Sequence, residues 1–235
     1  DTIRVSLSED PEAEMPVARK LVDYIREREN HRPIEASMAP GFDTVATCRR
    51  ISRVVEGIGG TFPPVVISDR SNGDFEFDHL SLPDYIYIGK EDPDNLPDNF
   101  RLLVDAHFWK ERPNAFPCFI ASEAEELKDY DCPLKFIRLT YMDLTDRMLE
   151  ILKADKTVVV LLSTHHRNGV GSQRAAMHKS LMAGCDVPVV LHRDFRETDV
   201  ELLQLKSAAD FGTLLLDGFG DGLMLHNEGC EAVVS

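Results

Sequence analysis

The chain has 235 residues, 43% of them hydrophobic and 29% charged, which suits one large folded domain or two small ones and excludes a disordered or collagen-like polypeptide. Its longest uninterrupted aliphatic run, Val158–Leu162, is far short of the ~20 residues a membrane helix needs, so no membrane partner is expected. Forty-one acidic against 26 basic residues leave a net charge of −15, which repels phosphate backbones, and no nucleic-acid partner is expected either.

Five cysteines, Cys48, Cys118, Cys132, Cys185 and Cys230, are far apart and never form a Cys-x-x-Cys pair. That excludes zinc ribbons, simple iron–sulfur loops and thioredoxin-type centres, so no metal ligand is expected in this chain. Scattered thiols read as buried small hydrophobes in a reducing compartment, for which the cytoplasm is the expectation. A strand already at Thr2–Leu7, straight after Asp1, and a short tail after a strand at Gly222–Leu225 read as a piece cut from a longer polypeptide.

Between these ends the apolar pattern switches repeatedly from period 2 to period 3.6. Asp10-Pro11 sets an N-cap and a first helical position, followed by Met15, Ala18, Leu21, Val22 and Ile25 on one helical face. Pro33–Ser37 reads as a short strand and Thr44–Gly57 as a helix, with Gly57-Ile58-Gly59-Gly60 as its left-handed C-cap. Strands are predicted at Pro64–Asp69, Asp84–Ile88, Arg101–Ala106 and Pro117–Ala121. The second half gives helix Ser122–Tyr130, capped by Ser122 with Glu125, then strand Leu134–Thr140, helix Asp143–Ala154 and strand Thr157–Ser163. Helix Ser172–Gly184, strand Val187–His192, helix Thr198–Phe211 and strand Thr213–Asp217 complete the series. Several strands are apolar on both faces, as a parallel sheet covered by helices requires. Roughly nine alternating strands without a Gly-x-Gly-x-x-Gly turn favour an α/β, TIM-like (β/α) barrel over an open dinucleotide-binding sheet.

Active residues of such barrels project from the C-terminal strand ends. Those ends carry Ser37, Asp69 with Arg70, Lys90, Asp105 with His107, Thr140, His165 with His166 and Arg167, His192 with Arg193, and Asp217. Ser163–Arg174 is the richest segment, because two histidines and an arginine precede a glycine loop that opens a helix. Its free N–H groups together with Arg167 or Arg174 would suit a phosphate. His165, His166, Arg167, Arg174, His192 and Arg193 are thus the candidate anion-binding residues; the alternative is a solvated, salt-bridged rim. No nucleophile elbow, P-loop or His-Glu-x-x-His is present, and no catalytic or cofactor-binding set is assembled.

Two stretches resemble a known family. Asp1–Leu7 with Asp10-Pro11 and Glu14 resembles the segment that follows Glu-Gly-Ile-Gly in 4-hydroxy-3-methylbut-2-enyl diphosphate synthase. Lys206–Gly212 together with Leu216–Gly222 resembles the long, plant-like form, which carries an extra domain between its catalytic barrel and its iron–sulfur domain. The resemblance implies that residues 1–30 end the catalytic barrel, 31–225 form an inserted TIM-like barrel and 226–235 are a tail. It also implies a parent oxidoreductase of the non-mevalonate isoprenoid pathway that reductively opens 2-C-methyl-D-erythritol 2,4-cyclodiphosphate. A 4Fe–4S cluster and ferredoxin or flavodoxin would serve that parent protein, with the catalytic barrel and the iron–sulfur domain as this segment's partners. The cluster-binding Cys-x-x-Cys context has no counterpart here, and Asp217 stands where a barrel glutamate would be in the closing repeat, so no catalytic role transfers. The expectation is a non-catalytic scaffold barrel. A self-standing barrel for a phosphorylated metabolite is the alternative, and a docking module for an electron carrier comes last because acidic carriers avoid a −15 surface.

Overall fold

The computed structural model describes residues 10–43, 45, 48–73, 75, 82–92, 96 and 99–229. The expected strand Thr2–Leu7, Cys230 and the rest of the tail lie outside the described residues. Eight parallel strands close into a barrel in simple sequence order. They are β1 (Val65–Asp69), β2 (Tyr85–Gly89), β3 (Leu102–Asp105), β4 (Ala115–Ile120), β5 (Lys135–Leu139), β6 (Val158–Leu162), β7 (Val189–Phe195) and β8 (Gly222–Asn227). The last strand pairs with both β7 and β1 and completes the α/β, TIM-like barrel that the alternating pattern predicts. It continues to Asn227, past the expected end at Leu225.

Helices α1 (Pro11–Arg26), α2 (Asp146–Ala154), α3 (Gly169–Met182) and α4 (Val200–Leu216) accompany the strands. Inward side chains such as Ile67, Tyr85, Leu103, Phe116, Phe136, Val159 and Met224 fill the barrel. The alternate residues, among them Phe119, Ile137, Val160 and Leu191, pack outward under the helices. The two-faced apolar strands are therefore needed on both sides, as in any helix-covered parallel sheet.

Four sequence expectations fail for identifiable reasons. Thr44–Gly57 is not a helix, for its described part crosses the N-terminal end of the barrel without regular structure. Its side chains instead bind carbonyls ahead of β6 and β7. Arg50 Nη2 donates to the carbonyls of Cys185 (3.0 Å) and Val187 (2.8 Å), and Arg53 Nη2 donates to Leu152 (2.9 Å) and Asp155 (2.7 Å). Val55 and fully buried Ile58 then plug the barrel floor on a reverse turn. The glycines there are left-handed (Gly57 φ 85°, Gly59 φ 94°, Gly60 φ 59°), but they serve this turn and cap no helix. Tertiary contacts override local propensity at this point.

Pro33–Ser37 is irregular: it pairs with no strand among the described residues, and the Tyr141 hydroxyl donates to Glu35 O (2.5 Å). Thr213–Asp217 continues α4, with Leu214 buried and the Thr213 hydroxyl bonded back to Ala209 O (2.6 Å). The segment expected as helix Ser122–Tyr130 is a 3₁₀ stretch, Ala121–Asp129. Its start is closed by Glu123, which accepts from Ile120 N–H (2.9 Å), while Glu125 turns outward to Arg147.

Asp221, immediately before β8, joins the closing seam to the floor. Its N–H donates to Val189 O (2.6 Å) and its carbonyl accepts from Val65 N–H (3.1 Å). Its carboxylate accepts from Ser52 Oγ (2.9 Å) and Val189 N–H (2.9 Å), with Arg50 3.5 Å away. The residue is only 2% exposed, so removing the carboxylate strands two buried donors and an arginine. Asp221→Ala should cost ~3 kcal/mol or more in urea unfolding; an unchanged midpoint would refute the latch.

Candidate functional site

The strand pleat decides which polar groups face the C-terminal mouth. Residues two apart share a face, so the inward series ends in Asp69, Tyr87, Asp105, Cys118, Arg138, Ser163, His192 with Asp194, and His226. Asp69 accepts from Ser71 N–H (3.0 Å) and Oγ–H (2.6 Å) and pairs with His226 Nδ1 (3.3 Å). The Tyr87 hydroxyl donates to Asp105 (2.6 Å), and burial drives its pKa far up. Ser163 Oγ lies 2.6 Å from His192 Nδ1, and His192 Nε2 lies 3.3 Å from Asp194. Burial works against the Asp194 carboxylate, yet the His192 contact, with His226 and Arg138 near, holds it down at about 2.

Arg138 lies among these groups, its guanidinium 4.9 Å from the centre of the Tyr87 ring. Burial opposes its charge, but Cys118, Tyr87, Asp69 and Asp194 outweigh that and raise its pKa. The buried Nε and Nη2 atoms have no hydrogen-bond partner among the described residues. Arg138, Ser163, His192 and Asp194 line a hollow of about 720 Å³, with His165 at its edge.

The six candidate anion-binding residues do not share one site. His165, His166 and Arg167 line a second hollow of about 760 Å³ with Arg32 and Lys179, against one acid, Glu35. His166 Nε2 lies 3.1 Å from Arg32 O, and Arg167 Nε donates to Glu27 O. Arg174 is paired with Asp217 (2.6 Å) at the end of α4. His192 faces inward, so its neighbour Arg193 must face outward, where it pairs with Asp210 (2.7 Å) close against Gly169. A Cβ at Gly169 would collide with that guanidinium.

The remaining strand-end residues are placed as follows. Asp69 and Asp105 reach the mouth; Thr140 and Asp143 bond to each other (2.7 Å); His107 pairs with Glu123 (2.8 Å) outside. Ser37 and Lys90 are exposed. Arg138, Tyr87 and His226 escaped the sequence reading, although strand alternation counted from Phe136, Tyr85 and Met224 marks all three.

No three His, Cys, Asp or Glu side chains come together as a metal site among the described residues. Cys118, Cys132 and Cys185 are buried apart from one another, and burial pushes the Cys118 thiol up to about 12, which keeps it protonated and a poor ligand. These residues do not fit an iron–sulfur cluster.

No protein-family model matches the chain. Over all 235 residues it is 98% identical to a 4-hydroxy-3-methylbut-2-en-1-yl diphosphate synthase (flavodoxin) of Parabacteroides distasonis, covering 38% of that protein. The chain matches a segment of this synthase family. It is also similar to synthases of the same name from Phocaeicola vulgatus, at 44% over 97% of the chain, and Porphyromonas gingivalis, at 37% over 96%. It spans 38% and 34% of those two proteins. The resemblance read from the opening and closing stretches is thereby borne out.

The His226–Asp69 pair carries a pH signature. The hydrogen bond and charge of Asp69 raise the His226 pKa, with Asp194 and Glu228 adding to it and burial opposing. The Asp69 pKa is lowered: burial resists, but His226 and Ser71 prevail. Stability from His226 is full below its unfolded value of ~6.5 and is lost as pH rises through its folded value. Stability from Asp69 is full above ~3.9 and is lost as pH falls through its folded value. The pair therefore contributes most between ~4 and ~6.5. An NMR titration of the His226 ring should give a midpoint above ~6.5 that Asp69→Asn lowers; a midpoint unmoved by that change would contradict the pairing.

Proposed function

We propose that this segment is a non-catalytic scaffold barrel within a 4-hydroxy-3-methylbut-2-enyl diphosphate synthase, set between a catalytic barrel and an iron–sulfur domain. The observation that carries the reading is a segment covering 38% of a 98% identical synthase, with a self-closed barrel and cysteines unsuited to a cluster. The parent oxidoreductase would open 2-C-methyl-D-erythritol 2,4-cyclodiphosphate in the cytoplasm through a 4Fe–4S cluster held elsewhere. Its electron donor would be flavodoxin, the word in the relatives' names, or ferredoxin. No described helix is long and apolar enough to cross a membrane.

Residues 1–30 would end the preceding catalytic barrel. In support, α1 meets α4 largely through polar groups: Lys20 pairs with Glu201 (2.7 Å), Arg28 with Asp210 (2.5 Å), and Tyr24 donates to Asp210 (2.8 Å). Met15 and Ile25 on α1 remain exposed, at 67% and 47%. Residues 31–227 would be the inserted barrel, two residues beyond the expected 31–225 because β8 runs on to Asn227, and the tail, expected as 226–235, would follow it.

Removing residues 1–30 should therefore leave a cooperatively melting barrel, with Tm lowered by less than ~8 °C; loss of the transition would assign α1 to this domain. In the full-length synthase, Cys118→Ser and Cys185→Ser should leave the cluster's visible absorption intact and turnover within ~2-fold. Bleached absorption in a folded variant would overturn the scaffold reading.

A second reading, an anion-binding module, is favoured by the basic hollow of Arg32, His165, His166, Arg167 and Lys179 in an otherwise acidic chain. Calorimetry with pyrophosphate, compared between the native chain and Arg167→Gln, decides it. Heat that saturates and is lost in the variant supports the reading, and silence ends it.

A further inference from the structure

We propose that the C-terminal mouth of the barrel binds a small oxyanion, a carboxylate or a phosphate, through the Nε–Nη2 edge of Arg138. This goes beyond the scaffold reading and stands without it. The two unpartnered atoms of Arg138 are not an arbitrary pair: they form one edge of the guanidinium, with N–H bonds directed side by side. Such an edge matches the two oxygens of a carboxylate or phosphate in a bidentate contact. Both atoms are buried, and leaving a buried charged donor unmade is costly, so the geometry favours an occupant that accepts twice.

The nearby carboxylates do not take up that edge. Arg138 makes no ion pair among the described residues, because the nearby carboxylates are engaged elsewhere. Asp69 is held by Ser71 and His226, Asp105 by the Tyr87 hydroxyl, and Asp194 lies against His192. The Tyr87 ring lies 4.9 Å from the guanidinium, a cation–π contact. Each neighbour is itself anchored to a strand end, so the site is built on rigid elements. The adjoining hollow of about 720 Å³ has room for a metabolite-sized molecule, and Asp194 at its rim would accept from a hydroxyl or ammonium group on the same ligand.

Arg138 therefore differs from the arginines outside the barrel. Arg174 and Arg193 are already neutralised by Asp217 and Asp210, and neither offers a free edge to this hollow.

The test is NMR observation of the arginine Nε–H signals of the purified chain during separate titrations with sodium acetate and inorganic phosphate, against matched sodium chloride. The Arg138 signal is identified by its loss in Arg138→Gln. We expect it to shift saturably with at least one probe below ~10 mM, the more effective probe identifying the class of oxyanion. Arg138→Lys, which keeps the charge but lacks the paired edge, should weaken binding at least ~10-fold, while Arg174→Gln leaves it unchanged. An Arg138 signal unmoved by either anion assigns the edge to water and overturns the proposal. So does binding undiminished in Arg138→Lys. Shifts confined to Arg32 and Arg167 would instead support the basic hollow and overturn this site.

Discussion

A parallel barrel has no free edge only if its first and last strands meet, and here the β1–β8 ladder is joined to β7 and to the floor through one buried residue, Asp221. Asp221 bonds through its backbone to the starts of β1 and β7, and through its side chain to Ser52 in the strap that crosses the floor. The seam and the plug are thus one structure. Without the strap, Arg50 and Arg53 would leave strand-start carbonyls unmet, and Val55 and Ile58 would leave the lower barrel open to water. The acidic surface plays no part in this. What closes the domain is a small set of buried polar contacts laid over an apolar interior.

Closure in turn dictates where chemistry can lie. With the floor sealed, inward-facing polar side chains collect at the opposite end, and the pleat sorts them strictly. His192 and Asp194 face in, whereas Arg193 between them faces α4. Most polar groups are then matched in pairs across strand ends, His226 with Asp69 or Tyr87 with Asp105. Arg138 departs from that pairing, and its partly satisfied guanidinium distinguishes this mouth from a fully spent network. Both properties agree with a domain that contributes form to a larger enzyme and keeps some capacity for recognition.

The barrel was legible because its strands are short, apolar on both faces and regularly spaced, so their existence survived errors of one or two residues at their ends. The failures lie where contact outweighs pattern. The arginine-rich stretch before Gly57 has helical spacing, yet its side chains are worth more as caps on the chain entering β6 and β7. Thr213–Leu216 looks β-like, yet it extends a helix already packed through Phe211. At the site, adjacency in sequence groups histidines and arginines together, although a two-residue period sends alternate side chains to opposite faces. Counting that period from Phe136 leads to Arg138. Its lack of a partner among the described residues, however, depends on side-chain positions on five other strands and could not be read from the chain.

The central claim is that β1, β8 and the floor strap form one cooperative unit. Hydrogen exchange of the native chain under mild denaturant tests it most directly. The account predicts that Ile67 on β1, Met224 on β8 and Ile58 in the strap open with the same free energy, equal to that of global unfolding. Early exchange of β8 or the strap, while β5–β7 stay protected, would contradict it.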